Sequence, residues 1–283
     1  VENPISIFIM DITSSSTDGK VGEELELYLK EVVNMVKIWS EDVVNLKISH
    51  RQGDELFLIS ENFSTAYTIA FYISRIWKFS EHKPYFGLTF GNINKRVMDI
   101  EIETWIHPLV KQARMANNEL KLATDNREKF KFKLDNSNQN EHLLSPAQNS
   151  RSIHATIMNP KNQPLSTIES LINTLLENQH IFFMKQTRLQ ELITDLYLIF
   201  MQQKKIAVYL DKTSATISSH INRGNGKEII KNFKRIYEAI NSIQMFTFQS
   251  TTHQNPSKIH EQLETSIRKY LNHHIDTLLS EKN

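Results

Sequence analysis

Asp11 stands at the end of an apolar run, residues 5–10, and Asp54 and Glu55 follow Gly53 in a short polar segment between two further apolar runs. If those runs are neighbouring strands, the three carboxylates meet at one end of a sheet. Carboxylates brought that close repel one another unless a proton or cation intervenes, and a hard divalent ion such as Mg²⁺ takes oxygen ligands and can bridge to a triphosphate. The chemistry in prospect is metal-assisted nucleotide binding. Taken one at a time the residues read more plainly, Asp11 as a strand-end cap and Asp54-Glu55 as a polar turn. Two readings therefore stand, a divalent-ion or nucleotide site and a vestigial one. Cyclising a nucleotide would also need a cation or Asn to stabilise transition-state charge and groups to grip the base, and no spacing identifies them. The sequence contains no phosphate loop, no GxSxG and no HExxH.

A second set of residues suits a different partner. Residues 204–223 read KKIAVYLDKTSATISSHINR. Ile206, Ala207 and Leu210 share one side of a short helix, with the small Ala207 where a second helix must cross closely. Asp211 and Lys212 make the turn, and Thr213 occupies the N-cap, its hydroxyl free to accept an orphan backbone N–H of the next helix. Ile217 and Ile221 point that helix inward. Ser214, Thr216, Ser218, Ser219, His220, Asn222 and Arg223 are left outward, the short hydrogen-bonding groups and cations that contact phosphates and base edges. Residues 204–235 carry eight cations (Lys204, Lys205, Lys212, Arg223, Lys227, Lys231, Lys234, Arg235) against Asp211 and Glu228. The expected partner is double-stranded DNA, bound by a helix-turn-helix, with Lys204, Lys205, Lys212, Thr213 and Lys227 joining the outward face. The competing reading is a helical hairpin whose polar face is only wet.

The chain that must position these groups has 283 residues, room for two modest domains. Its charge is unevenly shared. Residues 1–135 hold 17 Lys and Arg against 20 Asp and Glu, net −3, while residues 136–283 hold 16 against 12, net +4. Only the second part suits a polyanion. The absence of cysteine excludes a disulfide, a thiolate nucleophile and Cys-ligated zinc. No apolar run approaches ~20 residues and no charged-then-apolar leader opens the chain, so a soluble, cytoplasmic protein is expected.

Residues 5–10 are apolar on both faces and predict an interior strand. Leu25, Leu29, Val32, Val33 and Val36 recur at helical spacing. Val44, Leu46 and Ile48 alternate as a second strand, residues 51–54 turn, and residues 55–59 return as a third. A helix with Ala66, Ile69, Ala70, Ile73 and Trp77 follows, then a fourth strand at 84–90. This order is that of a ferredoxin-like sheet, antiparallel, with helices on one face. Nucleotide cyclases share that core. Pro108 opens a further helix, and Phe130, Phe132 and Leu134 alternate with lysines as an edge strand whose charges discourage pairing with other chains.

Residues 136–165 turn to Asn, Gln, Ser and Pro and read as a linker. Beyond them only helices are expected, the first started by a capping box of Ser166 and Glu169, another carrying Leu189, Leu192, Ile193 and Leu196 as the scaffold of the DNA module. The fold class is thus α+β, with a ferredoxin-like (nucleotide-cyclase-like) domain over 1–135, a linker over 136–165, an all-α helix-turn-helix domain over 166–245 and a C-terminal helix over 246–283.

The hairpin Gln52-Gly53-Asp54-Glu55 resembles a degenerate diguanylate cyclase signature. The whole chain resembles the SatD family of bacterial proteins, which pair a cyclase-like N-terminal domain with a C-terminal helix-turn-helix. The likeness runs through Asp11-Ile12 with Ser15, Gly53-Asp54-Glu55, Phe86-Gly87, Gly91, Pro108, Ala113, Arg114 and Lys121, then Ile206-Ala207, Leu210, Ile217-Ser218 and Arg223. Met10 stands where the family usually has Gly, Ser16 where it has Arg, and Asp211 where it has Gly. The missing Arg weakens the case for phosphate handling. The resemblance implies a cytoplasmic regulator with a nucleotide-sensing domain and does not establish an enzyme; the alternative is a nucleotidyl cyclase or polymerase making a signalling nucleotide, and a third reading is an interaction scaffold.

His260, His273 and His274 lack acidic or Cys partners at ligand spacing and read as part of a solvated helix. The stripe Ile259, Leu263, Ile267, Leu271, Ile275 and Leu278 is either core or a dimer seam. A homodimer is the expected assembly, because a twofold pair places recognition helices ~34 Å apart. Trp39, Trp77 and Trp105 are expected to fill core.

Overall fold

The computed structural model describes residues 2–13, 19–51, 53–123, 127–134, 163–248 and 255–278. Strand β1 (Asn3–Ile12) is central, as its two-sided apolar run demands, and Ile5, Ile7, Phe8, Ile9 and Met10 are fully buried. Helix α1 (Gly19–Ser40), strands β2 (Leu46–His50) and β3 (Leu56–Glu61), helix α2 (Thr65–Ile76) and strand β4 (Pro84–Ile93) follow. Helix α3 (Pro108–Leu122) and strand β5 (Phe130–Phe132) complete the sheet-bearing half. The sheet order is β2-β3-β1-β4-β5. Its first four strands pair antiparallel, and β5 joins β4 in parallel, Phe86 opposite Phe130. The fold class is mixed α+β, and the sheet is mixed rather than purely antiparallel.

Both faces of the sheet are covered, which corrects the expectation of helices on one face alone. Side chains alternate across a strand, so Phe8 and Met10 face α1 and α2 while Ile5, Ile7 and Ile9 join Leu109 and Ala113 of α3 in a second cluster. Gly87 lets α3 come down onto β4. A Cβ there would lie 2.2 Å from the Ala113 carbonyl oxygen and 2.3 Å from the Asn117 amide nitrogen. Asn117 Nδ2 in turn donates to the Ile9 carbonyl at 3.1 Å.

Seven helices follow among the described residues: α4 (Gln163–Met184), α5 (Arg188–Phe200), α6 (Gln203–Tyr209), α7 (Ser214–Arg223), α8 (Gly226–Thr247), α9 (Pro256–His273) and α10 (Ile275–Leu278). The stretch read as a linker lies outside the described residues up to position 162, as do Ser15 and Ser16. Helix α4 begins at Gln163, ahead of the cap expected at Ser166, and Glu169 accepts instead from the Leu134 amide at 2.8 Å. Asn173 of α4 exchanges two hydrogen bonds with the Phe132 backbone, at 2.8 and 2.9 Å. The free edge of β5 is therefore closed by α4 side chains as well as guarded by lysines.

The helical half is packed onto the sheet half. Every residue of α2 is buried, with strands β1, β3 and β4 on one side and α8 and α9 on the other. Phe71 of α2 stacks on Phe233 of α8 with ring centres 4.0 Å apart. Polar bonds cross the same junction: Tyr67 OH to Gln179 at 3.2 Å, Tyr72 OH to Glu264 at 2.8 Å, and the Phe63 amide to Gln244 at 2.7 Å. One hydrophobic cluster runs from Phe8 to Ile275 without a break between the halves. Full burial of side chains such as these contributes ~1.5–3 kcal/mol each, so this is core and not a loose domain contact.

Three readings of the sequence change here. The stripe of α9 is internal: Ile259, Leu263, Ile267 and Leu271 are buried, against α1, α2, α5 and α8, and do not form an outward seam. His260 is not on a solvated face. It is 3% exposed, within hydrogen-bond distance of Thr68 Oγ1 at 3.1 Å and stacked on Tyr237. Trp39 and Trp77 fill core as expected, whereas Trp105 is half-exposed and stacks on His107, whose ring caps α3. No helix among the described residues is long and apolar enough to cross a membrane.

Candidate functional site

Antiparallel pairing of β1 with β3 sets Met10 opposite Leu56, which brings Asp11 to the hairpin that carries Asp54 and Glu55. Gly53 has φ +86°, a left-handed conformation that glycine adopts without a Cβ penalty, so the chain turns tightly there. Asp54 Oδ2 accepts from the Ile12 amide at 3.3 Å. Asp11 feels the charge of the other two. Burial first, then the charges of Asp54 and Glu55, pushes Asp11 up to about 6, while Lys121 and Arg114 oppose the rise. At neutral pH Asp11 is ionised at a cost and would gain from a nearby cation.

Glu55 already has its cations. Arg114 of α3 holds both its oxygens, at 2.8 and 3.1 Å, and Arg51 reaches Oε1 at 3.3 Å. This forked geometry is the strong form of a carboxylate pair, and it raises Arg114 above its ordinary value. Asp11 and Asp54 are thus the carboxylates left for a ligand. Among the described residues no group of three or more His, Asp or Glu side chains is arranged to hold a metal ion. The pair does not form an all-protein cage. Its hard oxygens fit the way Mg²⁺ usually binds, through one or two carboxylates together with substrate phosphates and waters.

At the other candidate surface, α6 and α7 cross through a turn at 210–213, with α5 and α8 packed behind α7. Ile206, Ala207, Ile217 and Ile221 are buried between them. Asp211 takes φ +48°, the left-handed conformation that a turn here requires and that Asp tolerates. Thr213 caps α7, its hydroxyl accepting from the Thr216 amide at 3.1 Å.

Lys204, Lys205, Lys212, Thr213, Ser214, Asn222, Arg223 and Lys227 are exposed, and Thr216, Ser218, Ser219 and His220 are half-buried. Thr216 Oγ1 lies 2.9 Å from Thr213 Oγ1, and the Nδ1 of His220 is buried without a hydrogen-bond partner among the described residues. Those two are turned partly inward. The outermost polar set on α7 is Ser214, Asn222 and Arg223. Of the eight cations in residues 204–235, Lys234 pairs with Glu238 at 3.6 Å, and no other is paired among the described residues.

No family model, curated protein or solved structure matches the chain.

Two contacts at the candidate sites leave no signal in the sequence. Arg114 and Glu55 are far apart in the chain and meet only because Gly87 seats α3 on the sheet; no spacing signals it. Gln186, between α4 and α5, donates from Nε2 to Thr194 Oγ1 and to the Gly224 carbonyl, both at 2.8 Å. Gly224 is the residue on which α7 ends.

Proposed function

We propose that this chain is a DNA-binding transcriptional regulator of the SatD type. Helices α5, α6 and α7 act as the helix-turn-helix, α7 as the recognition helix, and the sheet-bearing half as a ferredoxin-like, cyclase-like domain that senses a nucleotide or a nucleotide-bridged Mg²⁺. The observation that carries the reading is the exposed face of α7 with Lys204, Lys205, Lys212, Arg223 and Lys227 around it, all exposed and none in an ion pair among the described residues. Unpaired surface cations are the groups that neutralise phosphates and release counterions, and Ser214 and Asn222 add hydrogen-bonding groups suited to base edges and phosphate. A homodimer in the cytoplasm is the assembly that suits a palindromic operator, and the buried α9 stripe leaves some other surface to form it.

The test is selection of bound fragments from a genomic DNA pool by the purified chain, with and without nucleotides. Specific fragments are expected, with log affinity falling against log salt by about 0.9 per neutralised phosphate. Arg223→Ala should weaken binding about tenfold, in line with the loss of one good base or phosphate contact. Failure to retain any fragment, or binding indifferent to salt, overturns the reading.

The second reading is a nucleotidyl cyclase or polymerase, favoured by the strained ionisation of Asp11 beside Asp54. It requires that ATP or GTP with Mg²⁺ or Mn²⁺ yields a cyclic or linked product and that Asp54→Asn abolishes it. A nucleotide panel left unchanged removes it.

A further inference from the structure

A cleft of 420 Å³ opens where the end of the sheet meets α4 and α5, and Lys83, Tyr85, Arg127, Lys129, Phe183 and Gln186 line it. Its size falls within the ~300–1,000 Å³ usual for small-molecule pockets. Its chemistry is cations interleaved with rings. Arg127 is anchored by the carbonyls of Ala123 and Lys121, each at 3.0 Å, and its guanidinium lies 4.8 Å over the Tyr85 ring. Lys129 Nζ lies 4.8 Å over the Phe183 ring from the opposite wall. Cations held over ring faces on two walls suit an anion between them, and the planar Arg127 guanidinium, backed by Tyr85, offers a stacking surface to the flat base that a nucleotide carries with its phosphate. Glu128 and Glu191 also line the cleft. Burial raises the Glu128 carboxyl above its usual range, and Glu191 lies 3.8 Å from Arg75, which offsets part of its charge.

Gln186 links this cleft to α7. Its one amide group touches the cleft, the α5 hydroxyl of Thr194 and the carbonyl of Gly224 at the end of α7. Gly224 packs closely on α5, since a Cβ there would meet Gln190 at 2.7 Å. A ligand that draws the Gln186 amide toward itself must therefore release or retighten the end of the helix that carries Arg223.

We propose that the cleft is the effector site, that it takes a mononucleotide, and that Gln186 transmits occupancy to α7. The site adjoins the Asp11–Asp54 carboxylates, since Tyr85 pairs across the strands with Asp11, but neither carboxylate lines it and it needs no metal. The output at DNA rests on the regulator reading; the binding and its effect on α7 do not.

The experiment titrates the full chain with AMP, GMP, ATP and GTP in EDTA by calorimetry, and follows amide exchange over residues 218–224. At least one nucleotide should bind, and Lys83→Glu with Lys129→Glu should weaken it tenfold or more while Asp54→Asn does not, with unchanged circular dichroism in each variant. The bound nucleotide should change exchange at 220–224 and shift DNA affinity about fivefold or more, within the usual span of allosteric coupling. Gln186→Met should lose both responses even at nucleotide concentrations that saturate its weakened cleft. A chain that binds no DNA but shows the nucleotide-dependent exchange sinks the regulator and leaves the effector site standing. The cleft proposal fails if none of the four nucleotides binds, if Asp54→Asn abolishes binding and the lysine pair does not, or if Gln186→Met leaves the exchange response intact.

Discussion

Arg75 of α2 donates through Nε to the carboxylate of Asp195 on α5, and both side chains are 2% exposed. A charge pair buried this deeply costs desolvation that its attraction roughly repays, but removing one partner strands the other. Asp195→Ala is therefore expected to cost about 3–5 kcal/mol. Because the pair ties the sheet half to the helical half, the loss should appear in one urea transition shared by tryptophan fluorescence and circular dichroism. Two separated transitions would show that the halves unfold independently.

Gly87→Ala should destabilise by about 1–3 kcal/mol or more, the usual range for overpacking a close contact, since its Cβ would meet the backbone of Ala113 and Asn117 and the Asn117 Cβ, none of which can swing aside. The displaced element is α3, which carries Arg114. Loss of stability should come with release of Glu55, read as a change in any Mg²⁺ or nucleotide affinity measured at the carboxylates. An unchanged melting temperature would mean that α3 seats less closely than described.

Asp11 makes stability depend on pH in a stated direction. Its folded value of about 6 lies above its ordinary one, so the folded chain binds the proton more tightly and stability falls as pH rises through the window from about 4 to 6. Asp11→Asn should flatten that slope and stabilise the chain by about 1 kcal/mol at pH 8, after allowance for partial solvent screening, with little effect at pH 4. Mg²⁺ should raise the melting temperature of the natural chain more at pH 8 than at pH 5. A slope of the opposite sign would remove the repulsion argument.

Much of this was legible in the sequence, for local reasons. The apolar residues 5–10 could only be a central strand, and strand adjacency alone brings Asp11 beside Asp54. The cap at Thr213 and the inward pair Ile217 and Ile221 follow from spacing within a single turn motif. The burial of α2 also left a signal, because Tyr67, Phe71 and Tyr72 make it apolar all round, and a helix apolar all round is an interior one. Attention to Ala66, Ile69 and Ile73 alone yields a one-sided helix. What stayed hidden depends on distant packing: His260 inside the core, Arg114 on Glu55, and Gln186 under Gly224 are each set by which helix lands on which face.

Thr213→Ala removes the cap of α7. It should cost about 1 kcal/mol and fray the helix at its start, so DNA affinity should fall while Arg223, at the other end, stays in place. Thr213→Ser should restore both, because the hydroxyl does the capping. If Ser fails to rescue, the threonine acts through something other than its bond to the Thr216 amide.

The encasement of α2 bears on how the gene for this chain could be divided. A polypeptide ending at residue 134 would display the outer aromatic side of that helix to water, and one beginning at 163 would display its complement. Neither piece is a finished globule. Made together, the two are expected to find each other and reconstitute the whole, so the chain offers a natural place to be split and a seam that heals without a covalent join.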